Sequence, residues 1–241
     1  MSQGSQYIAD LRAAVPAGFH GRPKIAETPC RSGCTSCQAV CPTQAIALEP
    51  VRIDLGRCVF CNECALACPD HKIALTPEVR MGAATHEGLV VAPGQGPSPV
   101  ETSRALQALF GRSLKLRQVS AGGCNGCEAE LNALANVNFD LQRYGIEWVA
   151  SPRHADALVL SGPVTRNMAE AVQLAWDGMP EPRFVIAVGA CTISGGLYRA
   201  SQVLERGFLG RFAPTLYVPG CPPHPLTFVS AILDLLGIAT P

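Results

Sequence analysis

The chain has 241 residues, with nineteen Lys and Arg balanced by nineteen Asp and Glu, so its formal net charge is zero. A neutral chain with 48% hydrophobic and 16% charged residues excludes extensive disorder and a phosphate-neutralising surface, so no nucleic-acid partner is expected. It is long enough to bury a core without disulfide staples, and its twelve cysteines therefore point to metal binding. The N-terminus lacks a signal-peptide pattern and the chain lacks an apolar run of ~20 residues, which predicts a cytoplasmic location.

The chain divides into four predicted segments. Residues 1–29 show no strong motif and are predicted to form an N-terminal arm. Residues 30–76 hold eight cysteines, and the segment Cys41–Leu48 recurs as Cys68–Leu75, as in a duplicated module. Residues 77–100 are rich in Pro and Gly and are predicted to be a linker, and residues 101–241 form the last domain.

The last domain shows helical and strand patterns in alternation. The predicted helices are Thr102–Phe110, Glu128–Ala135, Arg166–Trp176 and Pro225–Leu236, and the predicted strands are Leu114–Val119, Ile146–Ala150, Ala157–Leu160, Phe184–Val188 and Thr215–Val218. This order predicts an α/β domain with a doubly wound, mostly parallel, flavodoxin-like sheet. The cysteine repeat before it predicts a small α+β domain.

The first eight cysteines form two similar runs. These are Cys30-x3-Cys34-x2-Cys37-x3-Cys41-Pro42 and Cys58-x2-Cys61-x2-Cys64-x3-Cys68-Pro69. The second run has the spacing of bacterial two-cluster ferredoxins, in which the fourth cysteine binds the other cluster. We therefore assign one [4Fe–4S] cluster to Cys30, Cys34, Cys37 and Cys68, and another to Cys58, Cys61, Cys64 and Cys41.

A pair of four-thiolate zinc sites is the alternative interpretation of these runs. Zinc sites use C-x2–4-C pairs separated by longer gaps, whereas three cysteines crowd each run here. The first run has one extra residue between Cys30 and Cys34, which leaves open whether its cluster is a complete four-iron cubane.

The remaining cysteines are Cys124, Cys127, Cys191 and Cys221, and each follows a predicted strand. Open α/β sheets form their sites at the carboxyl ends of strands, so these distant residues are expected to meet at one edge. Neighbouring glycines would permit close approach of the backbone to a cluster. Four ordinary buried cysteines, or a thioredoxin-like dithiol at Cys124 and Cys127, are the weaker alternatives.

Three motifs carry a family resemblance that covers about residues 101–238. They are Cys124-Asn125-Gly126-Cys127-Glu128-Ala129-Glu130, Gly189-Ala190-Cys191 and Pro219-Gly220-Cys221-Pro222-Pro223. The chain resembles the small subunit of energy-converting [NiFe] hydrogenases of the formate hydrogenlyase type, and is similar to the 20 kDa subunit of respiratory complex I. The resemblance implies a third [4Fe–4S] cluster on Cys124, Cys127, Cys191 and Cys221, next to a large partner subunit.

The hydrogenase branch is favoured because Asn125 and Gly126 separate the first two cysteines, which are adjacent in the complex I subunit. The resemblance implies an oxidoreductase subunit that relays electrons to or from an active site in a [NiFe] hydrogenase large-subunit-like partner. It also implies membrane subunits that hold the chain on the inner face of the cell membrane, and a ferredoxin or a formate dehydrogenase as redox partner. A complex I-like quinone oxidoreductase subunit and a zinc-stabilised interaction module are the alternatives.

Two further residues are candidates for a role beside the third cluster. Glu130 lies three residues after Cys127, where the family has an acidic residue, and is predicted to be a proton-relay group or a carboxylate of the first helical turn. Glu128 has less claim to that role. His224 is interpreted as a packing or solvated histidine more readily than as a sensor of cluster charge.

Overall fold

The computed structural model of the chain describes residues 15–16 and 18–238. Most of the predicted N-terminal arm, residues 1–14 and 17, lies outside the described residues, as do residues 239–241. The first half contains short elements: β1 (Pro23–Ile25), α1 (Ser36–Ala39), β2 (Ile46–Ala47), β3 (Arg52–Asp54), α2 (Glu63–Leu66), β4 (Ile73–Leu75) and β5 (Val90–Val91).

The elements of the second half are longer and alternate regularly. They are α3 (Arg104–Phe110), β6 (Leu114–Ser120), α4 (Gly126–Ala133), β7 (Ile146–Trp148), β8 (Ala157–Ser161), α5 (Arg166–Asp177), β9 (Phe184–Val188), α6 (Gly189–Ser194), α7 (Gly207–Arg211), β10 (Leu216–Val218) and α8 (Pro225–Leu236). Short 3-10 turns cover Glu87–Leu89, Leu141–Tyr144, Pro152–His154 and Gly196–Tyr198.

The second half is built on one parallel sheet. Its strand order is β10-β9-β8-β6-β7, and every pairing in it is parallel. Counted from β6, this is the order of a flavodoxin-like doubly wound sheet, and the strand order reverses between β6 and β8. The predicted fold class is therefore confirmed.

Apolar side chains pack against both faces of this sheet. Side chains of α8 such as Phe228 and Ile232 pack on one face with Val159 and Ile186. On the other face, Trp176 of α5 and Phe208 of α7 belong to the core that includes Leu158 and Val185. Burial on both faces explains why β8 and β9 consist almost entirely of apolar residues.

The predicted boundaries of several elements shift for local reasons. Helix α3 begins at Arg104 because the side chain of Ser103 accepts the N–H of Leu106 at 3.4 Å and caps the helix. Cys191, predicted to follow the strand Phe184–Val188, lies in the short helix α6, which begins directly after β9 and was not among the predicted helices.

The segments at 1–29 and 77–100 contain paired backbone. Strand β1 pairs antiparallel with β4, and β5 pairs antiparallel with β3, so both strands extend the cysteine-rich unit. Within the same Pro- and Gly-rich segment, Ala83 exchanges two backbone hydrogen bonds with Tyr217 of β10, at 3.1 and 2.9 Å. The segment 77–100 therefore joins the cysteine-rich unit to the edge of the parallel sheet.

The two halves also share apolar contacts. The core of the cysteine-rich unit includes Ala187 and Ile193 from the second half. A Cβ atom added to Gly56 would lie 2.7 Å from Cγ2 of Ile193 and 2.8 Å from Nε2 of His86, so a side chain larger than glycine does not fit there. Among the helices within residues 18–238, none is long and apolar enough to cross a membrane.

Candidate metal centres

The first set of cysteines lines an open cavity of about 470 Å³. Cys30, Cys34, Cys37 and Cys68 all contribute to its wall, so the fourth cysteine of the second run joins three from the first. Burial raises the pKa of the Cys37 thiol, whereas Cys30 is exposed. This arrangement places four sulfur donors around one space, as a [4Fe–4S] cluster requires.

The extra residue of the first run lies in a turn that is tied to the second run. Arg31 donates to the carboxylate of Asp70 at 2.9 Å, and Asp70 follows Cys68 and Pro69. The backbone N–H of Cys34 donates to the carbonyl of Arg31 at 3.1 Å and closes the turn. The longer spacing therefore still allows Cys30 and Cys34 to face the same cavity.

The second set lines a much tighter space of about 20 Å³. Its walls include Cys41, Cys58, Cys61 and Cys64. Burial raises the pKa of Cys58 to about 12 and that of Cys64 to about 11, because an unpaired thiolate is unfavourable away from water. Bound metal ions would supply positive charge that stabilises these buried sulfurs in their thiolate form.

Backbone N–H groups point at sulfur atoms in both of these sets. Ala45 donates to Cys41 Sγ at 3.2 Å, Phe60 to Cys58 Sγ at 3.4 Å and Lys72 to Cys68 Sγ at 3.3 Å. Such hydrogen bonds stabilise charge on cluster sulfurs and help set the reduction potential. The donors and their surroundings therefore fit thiolate-bound iron–sulfur clusters.

The third set lies at the carboxyl edge of the parallel sheet. Cys124, Cys127, Cys191 and Cys221 line a cavity of about 60 Å³ and come from the segments after β6, β9 and β10. Burial raises the pKa of Cys127 to about 12 and that of Cys191 to about 11. Among residues 15–16 and 18–238, no three His, Cys, Asp or Glu side chains converge closely enough to hold a single metal ion. The sulfurs of each set instead surround a cavity.

Backbone conformation at two positions makes the third cavity possible. Gly189 has φ +84°, and a Cβ atom there would lie 2.7 Å from Cys127 Sγ. Asn125, which precedes α4, also adopts a left-handed conformation with φ +69°. These positions turn the chain sharply at the strand ends and bring the cysteines together.

Comparison with known proteins places the chain in a family. Residues 124–235 match the model of the NADH ubiquinone oxidoreductase 20 kDa subunit, and residues 51–71 match a 4Fe-4S binding domain. The chain is 40% identical over 125 residues to a probable membrane-bound hydrogenase subunit of Pyrococcus furiosus, a match that covers 52% of this chain and 74% of that protein. The chain belongs to this NADH ubiquinone oxidoreductase subunit family.

Two other members of this oxidoreductase subunit family show its breadth. Formate hydrogenlyase subunit 7 of Escherichia coli is 40% identical over 127 residues, which cover 53% of this chain and 50% of that protein. NAD(P)H-quinone oxidoreductase subunit K of Synechococcus elongatus is 42% identical over 110 residues, which cover 45% and 47%. These relatives are subunits of oxidoreductases, and the predicted resemblance is confirmed. The match of residues 51–71 to a 4Fe-4S binding domain includes the second cysteine run and not the first.

The acidic residue that lines the third cavity is Glu128, to which the sequence interpretation gave less weight than to Glu130. Glu128 is 7% exposed and accepts a hydrogen bond from Ser161 Oγ at 2.7 Å. Burial acts to raise the pKa of this carboxyl, but hydrogen bonds from Ser120 and Ser161 outweigh it and hold the pKa below its usual range. Glu128 is therefore a buried carboxylate beside the cysteines.

Glu130 occupies a different environment on the same helix. It is half-buried, it is not among the residues that line the cavity of the third set, and burial raises the pKa of its carboxyl. Its predicted role in proton relay stays a prediction.

His224 caps a helix. Its Nδ1 accepts the N–H of Leu226 at 3.2 Å at the start of α8, and its ring packs edge-on against Phe19 and Phe139. Burial lowers the pKa of the imidazole, which favours the neutral ring that can accept this bond. The structure thus gives His224 the packing role that the sequence favoured.

Arg206 is a residue near the third set that sequence reasoning missed. Its guanidinium donates to the carbonyls of Thr192 at 2.7 Å, Ile193 at 2.9 Å and Cys191 at 3.3 Å. No motif includes Arg206, and it lies fifteen residues beyond Cys191. Only the folded path of the chain brings its charge to this helix end.

Proposed function

We propose that this chain is the electron-transfer subunit of a membrane-associated, energy-converting [NiFe] hydrogenase-type complex. Three [4Fe–4S] clusters, held by the three cysteine sets, would supply one-electron transfer when bound. The substrate reaction belongs to a large partner subunit, and membrane subunits would hold the chain at the inner face of the membrane. A ferredoxin or a formate dehydrogenase would be the redox partner.

The observation that carries this proposal is the division of twelve cysteines into three cavities of four. Each cavity is lined by thiols and no cysteine is left over. A sensor or an assembly protein would need only one such centre, whereas three in one chain favour conduction. The matched 4Fe-4S domain supports iron as the metal of the second run.

The packing within the chain supports an order in which electrons pass between the first and second sets and between the second and third sets. Cys37, Cys41, Cys58 and Cys64 border one apolar core, which links the first and second sets. The second set is linked to the third through Gly56, two residues before Cys58, which abuts Ile193, two residues after Cys191. Because this contact excludes side chains larger than glycine, it keeps the backbone at Gly56 close to the Ile193 side chain.

A partner subunit is supported by exposed apolar side chains near the third set. Leu197, Tyr198 and Val203 follow α6 and are 58%, 49% and 56% exposed. Large apolar groups clustered on one exposed segment are typical of a surface that a partner covers. We propose that the large subunit covers this segment and the neighbouring Cys191.

We also propose a division of the chain into a ferredoxin-like domain, built on residues 30–76 with the flanking strands β1 and β5, and a hydrogenase small-subunit-like domain at 101–241. The pairing of β1 with β4 and of β5 with β3 supports including both flanking strands in the first domain. Glu130 is retained as the candidate proton-relay residue, since a carboxyl whose pKa is raised exchanges protons more readily near neutral pH.

Anaerobic purification of the chain with its partners tests the cluster assignment. We expect brown protein with about four irons and four sulfides for each set of cysteines, and paramagnetic signals on reduction. Colourless protein with stoichiometric zinc and no iron would refute the proposal and support a zinc-stabilised interaction module.

Substitution of single cysteines tests conduction. Cys127→Ala should abolish turnover of the complex while the clusters of the first two sets still reduce. Cys58→Ala is the matched variant, and it should remove the signal of the second set and leave that of the third. Full turnover in Cys127→Ala would contradict conduction through the third centre.

A complex I-like role is the second candidate, and the match to quinone oxidoreductase subunit K favours it specifically. The two roles differ in the large partner. A co-purifying subunit with two C-x2-C pairs and bound nickel supports the hydrogenase role, and a partner without them supports quinone reduction.

A further inference from the structure

Arg206 is a partly buried cation whose guanidinium is bound by backbone carbonyls. Its guanidinium donates to four backbone carbonyls, those of Pro163, Cys191, Thr192 and Ile193. In the part of the chain that the structure describes, no carboxylate forms an ion pair with it. Burial lowers the pKa of the Arg206 guanidinium, yet an arginine stays protonated at physiological pH. Among the described residues, its charge is therefore not neutralised by a neighbouring carboxylate.

The charge lies beside one ligand of the third set. Cys191, Thr192 and Ile193 belong to α6, and Arg206 binds the carbonyls of all three. Arg206 donates to the Cys191 carbonyl at 3.3 Å, which holds the guanidinium charge next to this ligand. The charge of Arg206 therefore lies nearest the Cys191 side of the third set.

We propose that Arg206 raises the reduction potential of the centre formed by Cys124, Cys127, Cys191 and Cys221. Reduction adds one electron to that centre, and a fixed positive charge close by stabilises the reduced form over the oxidised form. The inference depends on the proposed function only in requiring that this set holds an iron–sulfur cluster. It assigns Arg206 a part in setting the driving force for electron transfer at this centre.

The structure allows a merely structural role to be separated from this electrostatic one. The planar fork of Arg206 also clamps the loop after β8 to the end of α6, through Pro163 and Ile193. Lys at this position keeps the charge and loses the fork, whereas Gln keeps hydrogen-bond donors and loses the charge. If Arg206 only held the two segments together, both substitutions would change the midpoint potential of the third cluster alike. If its charge acts on the cluster, only the Gln substitution would change it.

Arg183 offers a control, because its hydrogen bonds are to groups away from the cysteine sets. It is partly buried, with 18% of its side chain exposed, and it donates to the carbonyls of Trp176 and Met179 at the end of α5. Unlike Arg206, it is ion-paired with Glu181 Oε1 at 2.9 Å, so Arg183→Gln controls for the loss of a partly buried arginine at a helix end away from the third set.

The test is a potentiometric titration of the third cluster, followed by electron paramagnetic resonance, in the complex purified with its partner subunits. Arg206→Gln should shift the midpoint to a more negative potential, Arg206→Lys should stay closer to wild type, and Arg183→Gln should not shift it. An unchanged midpoint in Arg206→Gln, or an equal shift in Arg206→Lys or Arg183→Gln, would overturn the proposal.

Two further outcomes are also decisive. If Arg206→Gln does not assemble the third cluster, Arg206→Met, which keeps much of the apolar stem, replaces it. Loss of the cluster in both variants would assign Arg206 a structural role and overturn the proposal. Zinc without iron in the wild-type protein would refute the proposed function and this inference together, whereas an unshifted iron–sulfur signal would refute this inference alone.

Discussion

Gly189 gives a sharp test of how the third centre is assembled. The residue directly follows β9 with φ +84°, a conformation that costs an L-residue ~1–2 kcal/mol. A Cβ atom there would lie 2.7 Å from Cys127 Sγ, well inside the ~3.5 Å of a favourable non-bonded contact. Overpacking of this kind costs ~1–3 kcal/mol. Together these effects predict that Gly189→Ala destabilises the protein by about 2–5 kcal/mol.

The expected result is selective, because the methyl group is directed at a cysteine. Domains are stable by ~5–15 kcal/mol, so the chain should still fold while Cys127 is displaced from its set. Iron and sulfide analysis should show loss of about one third of the iron, and the paramagnetic signal of the third cluster should disappear. Urea unfolding under anaerobic conditions should give the loss of stability.

Two glycines provide controls that separate strain from steric clash. Gly18 has φ +82° with no atom within 4 Å of an added Cβ, so Gly18→Ala should cost only the strain of ~1–2 kcal/mol and retain all iron. Gly210 lies in α7, also with open space around it, and Gly210→Ala should be neutral or stabilising by up to ~1 kcal/mol. A Gly189→Ala protein with full iron content and unchanged stability would refute the packing argument.

Three further predictions concern charged and titratable groups. Glu128→Gln keeps a hydrogen-bonding group beside Ser161 but removes a negative charge at the third cavity, so the midpoint of that cluster should become more positive; an unchanged midpoint would contradict this. The hydrogen bond from His86 Nε2 to Asp54 Oδ2 at 3.1 Å raises the pKa of His86. The pair therefore stabilises the folded protein fully below the ordinary histidine pKa of ~6.5, and this contribution is lost as the pH rises through the raised pKa. In urea unfolding, His86→Gln should therefore lose more stability at about pH 6 than at about pH 9, and an equal loss at both would exclude the pair as the cause. Glu130→Gln should lower turnover and weaken the dependence of turnover on pH, while the three cluster signals stay unchanged. Wild-type turnover in this variant would exclude Glu130 from the proton path.

Much of the fold could be predicted because its signals are local. The apolar runs of β8 and β9 identify strands covered on both faces, and the alternation of strands with helices identifies a doubly wound sheet. The short strands β2 and β5 span two residues each, too few for a hydrophobic pattern, and they form only because a neighbouring strand pairs with them. Helix α6 was missed for a similar reason, since its six residues are mostly small and resemble a turn.

The sequence by itself determined which cysteines belong to the two runs and that a doubly wound sheet domain follows them. The first three cysteines of each run lie within a few residues of one another and line one cavity, whereas the cysteine before proline lines the other, as in two-cluster ferredoxins. Only the tertiary structure decided that Glu128 rather than Glu130 borders the third cavity and that Arg206 lies against Cys191. Burial and charge at that edge depend on which loops the parallel sheet brings together, and no spacing along the chain encodes that approach.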